Sequence, residues 1–318
     1  DYAAMLAIDP SNAIAWNNLG VAYQAAALAL TRLGRVDEAR AQLHAALDIE
    51  HRARGSGTLA FMLMQASDAL ARLEAEQDRR RDAEAALATH RRFVAQAVQG
   101  LSADSFPYAM VSADGRRTEI SVAQILGDYA RAQADARATL ADMGARVALN
   151  AGQQSGKNYV LILGNEALAA ASYRLGDDAT AAAAGTAARA LRQQLPSMVQ
   201  ELLRTQSAAQ MIDALVAARQ GRTAEARTFA AAALAREREL AASGRDDAMQ
   251  RIRLAQALYV AALTGVGDGP REFAEASAIL ARLPAPLREA RSVGLLRGDI
   301  AAARTRVTGA PVRVSTAQ

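Results

Sequence analysis

The stretch that decides the fold is WNNLGVAYQAAALALTRLGRVDEARAQLHAALDI, residues 16–49. A glycine, Gly34, divides it into two long segments. Glycine ends a helix cheaply because it adopts the left-handed conformation without strain. Asp37 and Glu38 follow in what would be the first turn of a second helix, where negative charge suits the helix dipole. We therefore predict two helices joined by a tight turn at Gly34.

Small residues in both segments indicate that the two helices pack closely. Antiparallel helices approach each other only where small side chains lie at the crossing, and Gly20 and Ala39 are placed to supply them. Trp16, Tyr23 and Leu43 are expected to fill the space around that crossing.

The pattern of Trp16, Leu19, Gly20 and Tyr23, followed by a glycine turn and Ala39, resembles the tetratricopeptide repeat. The resemblance implies an all-α fold, a right-handed α-solenoid of stacked antiparallel helix hairpins. It also implies that the first helix of each pair lines a concave face on which other chains bind. The segment after Tyr23 is about seven residues longer than the family pattern, roughly two helical turns, so the hairpins should be long-armed.

Similar turns recur along the chain, each followed by an alanine about five residues later. They lie near residues 34, 80, 127, 176, 221, 269 and 298, so the first five steps span 45 to 49 residues and the last spans 29. We predict a single solenoid domain over residues 1–307 with thirteen to fifteen helices, a shortened hairpin at its end, and a flexible tail over 308–318.

The first and fifth turns share the frame Gly-Arg-x-x-Glu-Ala-Arg. Ala39 and Ala226 occupy the same place in that frame, and we expect both to be buried where the helices of their hairpins cross. Arg40 and Arg227 are expected to point elsewhere and to tolerate replacement.

The third hairpin departs from the pattern. Pro107 and the pair Asp114-Gly115 are poorly suited to a helix interior, so residues 100–116 are predicted to form an ordered loop before a short helix over 117–126. Its side chains either fill the space left by the shortened helix or carry function, as interrupting loops often do. They are Phe106, Tyr108 and Met110.

Composition favours an all-helical chain. Alanine dominates, only 7 of 318 residues are proline, and aromatic residues make up 4%. Arginine supplies nearly all the basic residues, which a GC-rich bacterial genome explains. The net charge of only +4, with arginines interspersed among acids, makes nucleic acid an unlikely partner. There are no cysteines, and no uninterrupted apolar run is long enough to cross a membrane.

Three stretches could carry chemistry, and none matches a known pattern well. His44, Asp48 and His51 share a helical face, but the histidines lie two turns apart, about 10 Å, too far for one metal ion. Residues 152–158, GQQSGKN, lack the spacing of a phosphate-binding loop and are predicted to be a flexible joint. The arginines of residues 79–92 alternate with acids, as on a solvated helix face. We therefore expect no enzymatic activity, no metal and no cofactor.

The expected function is binding of a protein or peptide along the concave face, as a scaffold module of a bacterial protein. The alternative is a ligand-sensing regulatory domain of a larger signalling protein. Residues 1–10 resemble the end of an earlier repeat, which suggests a piece of a longer protein; cytoplasmic and periplasmic locations both remain open. The polar residues expected to face the groove are Asn17, Gln24, Gln65, Asp68, Asn165, Gln210 and Gln256.

Overall fold

A computed structural model describes residues 2–9, 11–53, 59–195, 206–243 and 247–308. Within these ranges the chain forms fifteen helices and no strand, so the prediction of an all-α fold is confirmed. The helices are α1 (Tyr2–Ile8), α2 (Ala13–Arg32), α3 (Val36–Arg52), α4 (Leu59–Glu76), α5 (Arg80–Ala97), α6 (Phe106–Ile125), α7 (Tyr129–Gly144), α8 (Ala151–Leu175), α9 (Asp178–Arg192), α10 (Gln206–Arg219), α11 (Thr223–Ala242), α12 (Ala248–Thr264), α13 (Gly269–Ala281), α14 (Ala285–Arg288) and α15 (Arg291–Thr308).

The described helices fall into two compact units, the first with α1 to α9 and the second with α10 to α15. In the first unit, α2 pairs with α3, α4 with α5, α6 with α7 and α8 with α9. The first helices of these pairs also contact one another in order, α2 with α4, α4 with α6 and α6 with α8. In the second unit α10 pairs with α11, α12 pairs with α13, and α10 contacts α12. This neighbour packing is consistent with an α-solenoid, and its handedness stays a prediction.

A residue with positive φ ends most of the first helices. The angles are 75° at Gly34, 76° at Gly127, 80° at Gly176 and 74° at Gly221. The second turn has its left-handed residue at Asp78, with φ 55°, two residues before the predicted position. The sixth has Gly265 instead of the predicted Gly269. The alanine five residues after each of the first five turns is buried: Ala39, Ala83, Ala132, Ala181 and Ala226.

Residues 100–116 do not form the predicted loop. Residues 100–105 are a turn, but α6 then runs unbroken from Phe106 to Ile125. Proline causes no break because Pro107 lies in the first turn, where its missing N–H has no partner to lose, and Ser105 caps the helix end by accepting a hydrogen bond from Tyr108 N. Gly115 lies inside the helix because α5 approaches it closely: a Cβ atom there would be 2.8 Å from Val94 Cγ2.

Two other boundaries also differ from the prediction. Residues 151–156 are the first turns of α8, not a flexible joint, because the side chain of Asn150 accepts the N–H of Gln153 and caps the helix. Gly298 lies within the continuous helix α15, so the last turn is absent and no terminal hairpin forms there. The predicted tail begins inside this helix at Thr308, and residues 309–318 lie outside the described ranges.

At three of the turns, the side chain six residues after the left-handed glycine connects neighbouring hairpins. Arg40 forms an ion pair with Glu74, Gln133 Nε2 donates to Ser172 Oγ at 2.9 Å, and Arg227 Nε donates to the Thr264 carbonyl at 3.3 Å. All three acceptors lie in the last turn of the first helix of the following hairpin. The negative end of the helix dipole also stabilises a cation near this last turn, such as Arg40 or Arg227.

Candidate binding surface

Helix α2 exposes a face without charge. Residues 13–31 contain no Asp, Glu, Lys or Arg. Ile14, Val21 and Leu28 are spaced by seven residues, so they share one face, and they are 74%, 48% and 55% exposed. Asn17 and Asn18 lie between Ile14 and Val21, so the face is uncharged and mainly apolar, and exposed apolar side chains grouped on one helix face favour contact with another chain or element.

The register of the hairpins shows which side of α2 this stripe occupies. The left-handed residues Gly34 and Asp78 lie 44 residues apart, so Val21 corresponds to Gln65 in α4, and Leu28 corresponds to Arg72. Gln65 is exposed and Arg72 partly exposed even though α2 packs against α4. Stacking of a preceding hairpin therefore does not cover these positions.

A different side of α4 is the one buried by stacking. Met62, Ala66 and Leu73 are at most 6% exposed and correspond to Asn18, Ala22 and Ala29 of α2. The latter two are small and exposed. The apolar stripe of α2 is thus separate from its stacking side.

The seven residues predicted to face the groove can be located in the structure, and their role in binding stays a prediction. All lie on first helices, five in the first unit and two, Gln210 and Gln256, in the second. Gln65 is exposed, and the other six are half-buried. In the first unit, α2 contacts α4, α4 contacts α6 and α6 contacts α8. This row of helices carries Asn17, Gln24, Gln65, Asp68 and Asn165.

Two of these residues make structural hydrogen bonds that the sequence does not reveal. Gln24 Nε2 donates to the Met62 carbonyl of α4 at 2.7 Å, which ties adjacent first helices together. Asn165 Nδ2 donates to the Leu161 carbonyl within its own helix, also at 2.7 Å.

Gly20 was expected at the crossing of its own hairpin, but it faces α4 instead. The sulfur and terminal carbons of Met62 occupy the space that a Cβ atom of Gly20 would need. The small residue therefore permits close approach between hairpins.

An ionic group continues the surface from α4 to α6. Asp68 accepts from Arg72 Nε at 2.6 Å and lies 4.0 Å from Arg117 Nη2, which is 2.8 Å from Asp114. Burial alone would lower the pKa of the Arg117 guanidinium, but Asp114, Asp68 and Tyr159 outweigh it and raise the pKa above its usual value. The group pairs two acids with two arginines, so it adds polarity to the surface without net charge.

Two exposed aromatic side chains lie on the first helices, Phe61 on α4 two turns before Asp68 and Tyr159 on α8 near Arg117. Phe61 of α4 is 53% exposed, and Tyr159 of α8 is 42% exposed. Sequence reasoning did not select either residue or the apolar stripe, although their places in the hairpin register could have identified them. We use the name inner surface for Ile14, Val21, Leu28, Phe61, Gln65, Asp68, Arg72, Asp114, Arg117 and Tyr159.

The structure places the side chains considered for metal or phosphate chemistry in different surroundings. His44, Asp48 and His51 are exposed, and no group of three or more potential His, Cys, Asp or Glu ligands occurs in the described ranges. His90 is buried, and its Nδ1 lies 2.9 Å from the Met64 carbonyl. Lys157 Nζ donates to the Gly144 carbonyl at 2.9 Å.

Two arginines of the basic run pair with acids on neighbouring helices. Arg91 Nε donates to Glu119 at 2.9 Å, and Arg92 forms an ion pair with Glu50. The hydrogen bond with Arg92 lowers the pKa of Glu50. These arginines are therefore engaged within the fold.

No helix among the described residues combines the length and apolar character that a membrane crossing requires. Comparison with protein-family models, curated proteins and solved structures found no match for this chain.

Proposed function

We propose that this chain binds a protein or peptide segment on the inner surface of its first unit and acts through that binding instead of through catalysis. The observation that carries the proposal is the uncharged, exposed stripe of α2, formed by Ile14, Val21 and Leu28. Water contact with so much apolar surface is unfavourable, and on folded proteins a patch of this kind is typical of interaction sites.

The neighbouring residues support a peptide ligand. Phe61 offers an exposed aromatic ring beside α2, and aromatic residues are the commonest anchors of binding energy at interfaces. Gln65 and the ionic group of Asp68 and Arg117 supply polar groups for the rim of such a contact. A scaffold or regulator module of a larger assembly would use a surface of this type.

The test is selection of peptides from a random display library, followed by calorimetric titration of the selected peptides. We expect Val21→Lys and Phe61→Lys each to weaken binding at least about tenfold, because each buries a charge in the contact. Ala41→Lys on an exposed position of α3 is the matched control and should leave affinity unchanged. The proposal fails if selection yields no binder, or if the selected peptides bind both variants as tightly as the unmodified chain.

A further inference from the structure

We infer that the segment bound on the inner surface is an amphipathic α-helix lying along α2, and not an extended peptide crossing the first helices. This inference rests on the proposed function and specifies the conformation and chemistry of the ligand. It follows from the direction of the apolar stripe, the absence of charge over residues 13–31 and the area available, and it agrees with the way α15 packs against α12 and α13.

The first step is the direction of the stripe. A helix rises 1.5 Å per residue, so Ile14, Val21 and Leu28 lie about 10 Å apart in sequence order and span about 21 Å along the axis of α2. Across the helices the pattern is different, since the register of the turns at Gly34 and Gly127 places Asp114 of α6 at the position of Val21. The exposed apolar surface thus follows one helix.

The second step is the match to a helical ligand. A spacing of seven residues is the repeat with which two helices pack side by side, with apolar residues of one inserting between those of the other. An extended peptide crossing the unit would meet α2 at one of these side chains and then pass over the ionic group of Asp68 and Arg117. A helix parallel to α2 contacts all three apolar residues together.

The third step is charge. Since residues 13–31 carry no charge, the ligand face that contacts them gains nothing from charged groups and would lose their hydration. Together with the exposed Ile14, Val21 and Leu28, this favours a ligand face against α2 that is uncharged and mainly apolar. Its remaining faces meet water or the paired charges near α4, where polar residues are tolerated. This combination is an amphipathic helix.

The fourth step is area. Of the helices that form the inner surface, only α2 has a long uncharged run, and a helix of 20 residues, about 30 Å long and 10 Å wide, offers roughly 300 Å². A stable complex with a folded partner or a second copy of this chain buries about 800 Å² on each side. One helix fits the available surface better than a whole domain does.

The second unit shows that a helix with an apolar stripe can pack against a first helix, there on the stacking side. Helix α15 packs against α12 and α13 through four buried residues spaced by three or four positions. A helix with an apolar stripe is therefore an element with which this fold already covers its own helices. The four residues are Val293, Leu296, Ile300 and Ala303.

The test uses a synthetic helix of about 21 residues, long enough to span the stripe, with leucine at two positions of each heptad and Ala, Glu and Lys elsewhere. A matched peptide has proline in place of the central alanine. Binding is measured by fluorescence anisotropy. We expect the helical peptide to bind and the proline peptide to bind at least about tenfold more weakly, because proline disrupts the helix.

Protein variants locate the contact. Ile14→Glu and Leu28→Lys lie at opposite ends of the stripe, and their charges suit the ends of the helix dipole, so both should fold normally. Each is expected to weaken binding at least about tenfold, since both ends of one ligand helix lose an apolar contact. Ala29→Lys, one position away on an exposed site of α2, is the control and should bind like the unmodified chain.

Three results would overturn the inference. If the library peptides bind and depend on Phe61 and Arg117 but not on Ile14 or Leu28, the ligand crosses the helices, and only the broader proposal stands. If neither the library nor the synthetic helix yields binding, both proposals fail. If sedimentation shows a dimer that Val21→Lys dissociates, a second copy occupies the surface instead of a ligand helix.

Discussion

The ion pair between Arg40 and Glu74 is expected to hold the first two hairpins together. Glu74 is only 3% exposed, and Arg40 joins it from α3 while also pairing with Asp37. The hydrogen bond to Glu74 raises the pKa of the Arg40 guanidinium. The initial expectation that Arg40 could be replaced with little effect overlooked this buried carboxylate.

Arg40→Gln should lower the free energy of unfolding by about 2–4 kcal/mol. Removing one partner of a buried ion pair lowers the free energy of unfolding by roughly 3–5 kcal/mol, because the remaining charge stays buried without a partner. Arg79 reduces that cost, since its Nη1 lies 3.8 Å from Glu74 Oε2, but its side chain is 49% exposed. Adding Glu74→Gln removes the stranded charge and should recover about 1–2 kcal/mol of the loss.

Urea unfolding followed by far-ultraviolet circular dichroism measures these differences. Arg227→Gln is the matched control, because it has the same sequence frame but makes one hydrogen bond, to the Thr264 carbonyl at 3.3 Å, and should cost about 1 kcal/mol or less. The reasoning is refuted if Arg40→Gln is no more destabilising than Arg227→Gln, or if the second substitution recovers nothing.

Two further predictions concern packing and are measured by the same urea transitions. Ala39→Leu and Ala226→Leu should each lower the free energy of unfolding by about 1–3 kcal/mol, because these alanines are 0% and 1% exposed and a larger side chain overpacks the site. Wild-type stability in both variants would contradict the hairpin register. Gly115→Ala should lower the free energy of unfolding by about 1–2 kcal/mol, because the new Cβ would lie 2.8 Å from the stiff Val94 side chain. Gly298→Ala should raise it by about 0.5–1 kcal/mol, because a Cβ there would meet no atom within 4 Å. Equal effects at the two glycines would argue against the contact with α5.

The sequence was sufficient to predict a structural feature wherever the interactions that form it involve residues close together in the chain. Gly34 and Gly221 end helices through their own backbone freedom, and the alanine five residues later follows from the geometry of one hairpin. High alanine content and few prolines favour helix everywhere, which is why the all-α fold could be predicted. The seven predicted groove residues lie on first helices because the order of the helices follows from the turns.

The tertiary structure decided what depends on contacts between hairpins. Gly115 is compatible with a helix because Val94 packs against it, and Gln24 is half-buried because its amide reaches the Met62 carbonyl. Pro107 lies in a first turn because Ser105 caps the helix just before it, a placement that local pattern allowed but did not require. Sequence by itself determined the helices and most of their turns, since these form within a few residues. The stacking of hairpins, which buries Glu74 and leaves the stripe of α2 exposed, depends on partners tens of residues away and became visible only in the folded chain.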